Sequence, residues 1–204
     1  MTIQSLSSDF PPLCREDLPA DTADLARYLI GKALVRLSPD GPTVGRIVET
    51  EAYPPGDASS HAFRGPTARN HSMFLERGHA YVYQIHRQHC LNVASETAGV
   101  GAAVLIRALE PLLGLELMAA RRGTARVLDL ARGPGRLCAA MGIDRREDGL
   151  DLCAVGELWL GTIDRAPGGI GCSARIGLTR EIDRPLRFFE TASPFVSGPK
   201  RLNG

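Results

Sequence analysis

Apolar and polar positions along this chain fall into short blocks, some at helical period and most alternating. Asp21-Thr22-Ala23-Asp24 caps a run in which Leu25, Tyr28, Leu29 and Ile30 recur on one face before Gly31, predicting a short amphipathic helix. Two β-rich runs follow, Ala33 to Leu37 and Val44 to Tyr53. The Ser38-Pro39-Asp40-Gly41-Pro42 between them predicts a hairpin with a longer loop. Ala80 to Ile85, Cys90 to Ala94 and Ala103 to Leu109 are three more strand-like runs. Pro111 is read as opening a helix, Leu112 to Arg121, and Gly133-Pro134-Gly135 as starting another that runs to Met141. Leu158 to Ile163, Ala174 to Leu178 and Leu186 to Glu190 read as late strands. Strands in two groups, with helices before and between them, predict one α+β domain.

Two stretches lack periodicity. Residues 1–15 are polar and punctuated by proline, which predicts a loosely ordered segment ahead of a domain over 16–204. From Pro54 to Gly78 the chain turns to Pro, Gly, Ser, His and Arg, and a stretch of that length inside a compact domain is disordered or functional.

The 204 residues, 44% of them hydrophobic, suffice for a proper core. With 24 basic and 23 acidic side chains the chain is no bulk polycation, but near-neutrality does not exclude a nucleic-acid enzyme. Only Lys32 and Lys200 are lysines. Coding bias explains that ratio, and it leaves few candidates for a lysine nucleophile. Five cysteines at wide spacing, without a C-x-x-C pair, argue against a disulfide framework or cysteine zinc site and for a reducing interior. The N-terminus shows no signal-peptide pattern and the apolar runs are short, so the expectation is a soluble, cytoplasmic protein.

Val48-Glu49-Thr50-Glu51-Ala52-Tyr53 leads into the long loop. Alternate residues share a face, so Glu49, Glu51 and Tyr53 point one way. That face is either solvated or enclosed, and a carboxylate at such a strand end is well placed as a general base. All five histidines (His61, His71, His79, His86, His89) fall within 29 residues. His86-x-x-His89-Cys90 invites a metal reading, but ligands three apart want a helix and the flanks read as strands, so hydrogen-bonding histidines in a polar loop are the plainer account. Tyr53, Tyr81 and Tyr83 lie in the same third of the chain, either lining a pocket for a flat heterocycle or packing in the core. Gly133-Pro134-Gly135-Arg136 suits a phosphate or an ordinary helix cap. Gly169-Ile170-Gly171 imitates a dinucleotide fingerprint without the helix that should follow, and is set aside.

Taken in order, these segments resemble the alkyladenine (3-methyladenine) DNA glycosylase family. The residues that carry the resemblance are Gly45 to Tyr53, His61, Arg69-Asn70-His71-Ser72-Met73-Phe74, Tyr81-Val82-Tyr83 and Cys90-Leu91-Asn92-Val93. They continue with Leu105 to Pro111, Gly133 to Cys138, Arg184 to Phe188 and Ser193-Pro194-Phe195-Val196. The resemblance implies a single compact α+β domain with a curved, largely antiparallel sheet flanked by helices. It implies a monomeric enzyme of base excision repair, associated with the nucleoid and needing no metal or organic cofactor. Its partner is double-stranded DNA carrying alkylated or deaminated purines: 3-methyladenine, 7-methylguanine and, in some members, hypoxanthine or ethenoadenine.

By position, the resemblance makes Glu51 the group that activates water against the deoxyribose C1′, with Arg107 and the backbone carbonyl of Val196 holding that water. Tyr53, His61 and Tyr83 enclose the flipped base, and Asn92 on the floor clashes with the amino group of normal guanine. Thr67, Arg69, Met73, His86, Arg87, Arg136 and Arg187 are the implied DNA contacts. Neither lysine matches a catalytic position, so the product is an intact abasic site. The family usually carries a tyrosine that wedges into the duplex. Here Gln84-Ile85-His86-Arg87-Gln88-His89 is shorter and has none, which leaves His86 or Ile85 as wedge and Arg87 to fill the gap or grip a phosphate. Two other readings stay open: a non-catalytic module that recognises damaged DNA, and a metal-dependent hydrolase built on His86, His89 and Cys90.

Overall fold

The computed structural model describes residues 2–203. It has four helices, α1 (Ile3–Asp9), α2 (Thr22–Leu29), α3 (Leu115–Arg122) and α4 (Pro134–Met141). The strands are β1 (Ala33–Ser38), β2 (Gly41–Tyr53), β3 (Ala80–Ile85), β4 (Gln88–Ala94), β5 (Ala103–Leu113), β6 (Leu158–Gly161), β7 (Ile170–Ser173) and β8 (Arg187–Glu190). They form one curled antiparallel sheet of order β3-β4-β5-β2-β1-β6, with β8 joined to β2 and β7 to β8. The α+β single domain is as expected from the sequence.

β2 organises the molecule. β5 pairs with it from Val44 to Tyr53, and the opposite edge is shared: β1 takes it up to Arg46, then β8 from Glu49 to Glu51. Register shifts against β5 on both sides of Glu49 mark bulges where the partner changes, and bulges re-aim side chains in this way. Along β1, Leu34 faces the larger core with Leu25, Leu29, Ile47 and Ile106, while Ala33 and Val35 face a smaller one with Leu6, Val44 and Trp159. α2 packs on β2, and α4 on β4 and β5. The Asp21 carboxylate caps α2 as predicted, accepting from the amides of Ala23 and Asp24.

Several expectations are corrected. Residues 2–15 are not loosely ordered: α1 buries Leu6, Trp159 Nε1 donates to the Phe10 carbonyl at 3.0 Å, and Leu13 bonds to Leu160. A seven-residue helix with one apolar anchor is too short to show a period. Pro111 opens no helix but lies inside β5 opposite Gly45, beside a register shift, where a residue without an amide hydrogen is tolerated. α3 begins only after Gly114, whose φ is +75°. Ala174 to Leu178 is not a strand: the strand is Ile170–Ser173, and the chain then leaves the sheet. The two hairpins turn more tightly than read. β1 pairs to Ser38 and β2 from Gly41, and β4 starts at Gln88 because His86 and Arg87 make a two-residue turn with φ of 45° and 66°. Positive φ at both central positions is the signature of a type I′ turn.

Candidate active site

β2, β3, β4 and β5 deliver their polar side chains to one cavity of about 320 Å³. Tyr53 reaches it from the end of β2, Tyr81 and Tyr83 from alternate positions of β3, Asn92 from β4 and Arg107 from β5. Two loops complete the wall: Ser59 to His61 from the long polar stretch, and Ile176 to Leu178 where the chain has left β7. Ile85 near the hairpin tip and Pro134 at the start of α4 stand at its margin. Gly135 permits that approach, since a Cβ there would meet the Gln88 side chain. The volume and the mixture of aromatic wall with a few polar groups suit a small flat ligand.

The shared face of Glu49 and Glu51 is enclosed, not solvated; both acids are fully buried. Arg107 bridges them, with Nε donating to Glu49 Oε1 at 2.9 Å and Nη1 standing 3.1 Å from Glu51 Oε1. Glu51 Oε1 also accepts from the amide of Ile176 (2.7 Å), and Oε2 from the Tyr53 hydroxyl (2.9 Å). Glu49 further accepts from Arg187 Nε and from the amide of Ser197, both at 2.7 Å. Burial alone raises the Glu49 carboxyl, but Arg107 and Arg187 outweigh it and hold it below its ordinary value. Val196, buried next to Ser197, is thereby tied to the same network.

The aromatic wall is electrically neutral. Burial pushes the Tyr81 phenol up to about 12 and raises Tyr53 and Tyr83 as well, with Glu51 adding to the effect on Tyr53 and Cys90 to that on Tyr83. His61 is lowered, first by desolvation and then by Arg69, so its ring stays neutral at ordinary pH. The ring stands edge-on to Tyr83 with centroids 4.6 Å apart, and its Nδ1 is 2.9 Å from the Tyr81 hydroxyl. Asn92 Nδ2 donates to the Tyr81 carbonyl at 3.0 Å, which fixes its amide on the cavity wall.

Of the implied DNA contacts, Thr67, Arg69, His86, Arg87 and Arg136 are exposed. Two are not. Arg187 is fully buried, spent on Glu49, Ser173, the Ser197 carbonyl and Asn203, and presents no surface to a phosphate. Met73 is 3% exposed and lines the cavity from within. Arg69 instead shares a neighbouring groove of about 250 Å³ with Arg64 and Arg180, and this groove has Ser60, His61 and Tyr81 in common with the cavity. Asn70 staples the loop there, accepting from the amide of Thr67 and donating to the carbonyls of His61 and Gly65. Among the described residues no group of three or more His, Cys, Asp or Glu is arranged to hold a metal, and no helix is long and apolar enough to cross a membrane.

Sequence reasoning missed Asp57, Arg175, Ile176 and Arg180 and left Glu49 without a role. Glu49 carried a signal in its alternation with Glu51. Asp57 lies in the polar loop and Arg180 between two late β-rich runs, while Arg175 and Ile176 lie in a segment read as a strand, Ala174 to Leu178, that the chain does not form.

A family model described as methylpurine-DNA glycosylase matches residues 16–194. A protein of Mesorhizobium japonicum named "Putative 3-methyladenine DNA glycosylase" is 59% identical over 199 residues, 97% of this chain and 96% of its own length. Proteins of the same name from Paraburkholderia phytofirmans and Methanoculleus marisnigri are 54% identical over 192 residues and 46% over 182. They cover 94% and 87% of this chain, and 90% and 94% of their own.

Proposed function

Because the chain belongs to the methylpurine-DNA glycosylase family, we propose that this DNA glycosylase takes an alkylated purine out of duplex DNA into the cavity. There it hydrolyses the N-glycosidic bond with a water activated by Glu51. The observation that carries the reading is a fully buried carboxylate directly behind a neutral aromatic wall, with Oε1 engaged by Arg107 and Ile176 and Oε2 by the Tyr53 hydroxyl. A carboxylate oxygen accepts more than one hydrogen bond, so Oε2 retains capacity for a water.

The chemistry asks little more. Alkylation at N3 or N7 makes the purine a cation and a ready leaving group, and the faces of Tyr53 and Tyr83 attract such a cation. As the C1′–N bond breaks, its electrons pass to the purine; water oxygen bonds to C1′ and its proton passes to Glu51. Arg107 and the Val196 carbonyl hold the water, His61 donates to the base, and Asn92 rejects the amino group of normal guanine. The product is an intact abasic site, formed without a metal or organic cofactor by a cytoplasmic, nucleoid-associated monomer. Thr67, Arg69 and Arg180 line the path of the DNA backbone, with Arg136 and the start of α4 gripping a phosphate beside it. The hairpin tip, Ile85 to Arg87, fills the space left by the base. 3-Methyladenine and 7-methylguanine are the lesions proposed, with hypoxanthine and ethenoadenine to be tested beside them.

The test is incubation with duplexes carrying each lesion, followed by alkali to reveal abasic sites. The wild type releases base and Glu51→Gln does not, although it still binds the lesion duplex. Release by Glu51→Gln at the wild-type rate would overturn the mechanism. Lesion binding by the wild type without any release would make the protein a recognition module instead.

A further inference from the structure

Asp57 and Arg175 form a fully buried ion pair, 2.6 Å apart, that joins the two loops walling the cavity. Asp57 Oδ1 accepts from the amide and the hydroxyl of Ser59 at 2.8 and 2.5 Å, and so sets the start of the Ser59-Ser60-His61 wall. Arg175 donates from Nη1 to the Ala52 carbonyl at 2.9 Å and lies over the Tyr53 ring, 4.7 Å from its centroid. The next residue, Ile176, is the one whose amide bonds to Glu51. The chemistry proposed above uses neither charge. A buried pair adds little stability over an apolar pair of the same size, but it does fix direction and distance.

We infer that Arg175, held by Asp57, is a positioning residue: it sets the plane of the Tyr53 ring and delivers the Ile176 amide to Glu51. The inference rests on the reading of the cavity as the site of base excision. Without the guanidinium, the Tyr53 ring loses its backing and the loop after β7 its anchor to β2. Small misplacements of this kind cost up to about a hundredfold in rate, while the exposed residues that grip the duplex are untouched.

The experiment measures single-turnover excision of 7-methylguanine, equilibrium binding of the same duplex and the thermal midpoint. The variants are Arg175→Met, Arg175→Lys, Asp57→Asn and Glu51→Gln, with Arg36→Met as a control. Arg36 and Glu147 form another buried pair, at 2.7 Å, whose residues take no part in the cavity wall. Arg175→Met and Asp57→Asn are expected to lose about tenfold or more in excision rate with binding within about threefold. Arg175→Lys regains part of the loss. Arg36→Met keeps its rate within about threefold at a comparable fall in midpoint. Wild-type rates in both Arg175→Met and Asp57→Asn overturn the inference, as does an equal loss of rate in Arg36→Met. If Arg175→Met does not fold, Asp57→Asn decides by the same criteria. No release by the wild type, or undiminished release by Glu51→Gln, overturns the reading of the site itself, so the two failures are told apart.

Discussion

Arg107 touches Glu51 and Glu49 with different nitrogens of one planar group, Nη1 at 3.1 Å from the first and Nε at 2.9 Å from the second. A lysine presents a single nitrogen and cannot reproduce that planar two-nitrogen fork. Arg107→Lys is therefore expected to loosen the hold on Glu51, since Glu49 keeps Arg187, and to slow excision about ten- to a hundredfold. Single-turnover kinetics on a 7-methylguanine duplex check it, and an unchanged rate would show that the bridge does not matter to the chemistry.

Glu49 is held by two arginines and acts on stability. Arg107 and Arg187 both point at it, so Glu49→Gln leaves the buried Arg187 without its carboxylate and Arg107 with Glu51 alone, and is expected to cost about 3 kcal/mol or more. Burial raises this carboxyl and the two arginines lower it further than that, so its folded-state pKa lies below the ordinary 4.5. A depressed carboxyl stabilises the fold above its unfolded pKa, and the contribution is lost as pH falls through the folded value. The gap in urea midpoint between wild type and Glu49→Gln should be full near about pH 6 and narrow as the pH falls below about 4.5. A gap that does not change with pH would refute the account.

At the β3–β4 turn, His86 and Arg87 hold a conformation that favours glycine and asparagine. Arg87→Gly should raise the unfolding free energy by about 1 kcal/mol, by relief of left-handed strain less the entropy of glycine. Thermal melts check the sign. If the tip acts in extrusion and not in bond cleavage, as proposed, His86→Ala should weaken binding to a lesion duplex while leaving excision from an already unpaired lesion nearly intact. Equal losses on both substrates would remove the tip from that role.

Gly101 is a glycine for lack of space: a Cβ there would stand 2.4 Å from Phe74 Cζ and 2.7 Å from the Ala62 methyl. Phe74 and Ala62 pack with Met73, Tyr81 and Tyr83 under the cavity. Gly101→Ala should destabilise the fold by about 1–3 kcal/mol through overpacking and disturb the His61 wall. A variant with wild-type midpoint and wild-type rate would contradict this.

The β-runs and the cluster of aromatic and histidine residues were legible because they depend on local alternation and on neighbours in the chain. Tyr53, His61 and Tyr83, marked by that clustering, line one cavity; Asn92 and Arg107 line it too but are marked only by the resemblance. What failed to read depends on distant partners. Arg187 sits in a motif that suggests a surface cation, yet Glu49, 138 residues earlier, draws it inside. Pro111 has the same local preference at a helix start as at a bulge, and only the register against Gly45 decides between them. Asp57 looks like an ordinary loop charge and Arg175 like a residue of a strand until the fold brings their two loops together.

The bond from the Ser197 amide to Glu49 spans 148 residues. A ribosome adds about 5–20 residues per second, so the acids on β2 are made roughly 7–30 s before the segment that closes over them. Arg107 follows Glu49 by 58 residues, but Arg187 and the Ser197 amide come only with that last segment. An incomplete polypeptide of this kind lacks the closing side of the network, so the buried centre is assembled only after Ser197 has been made.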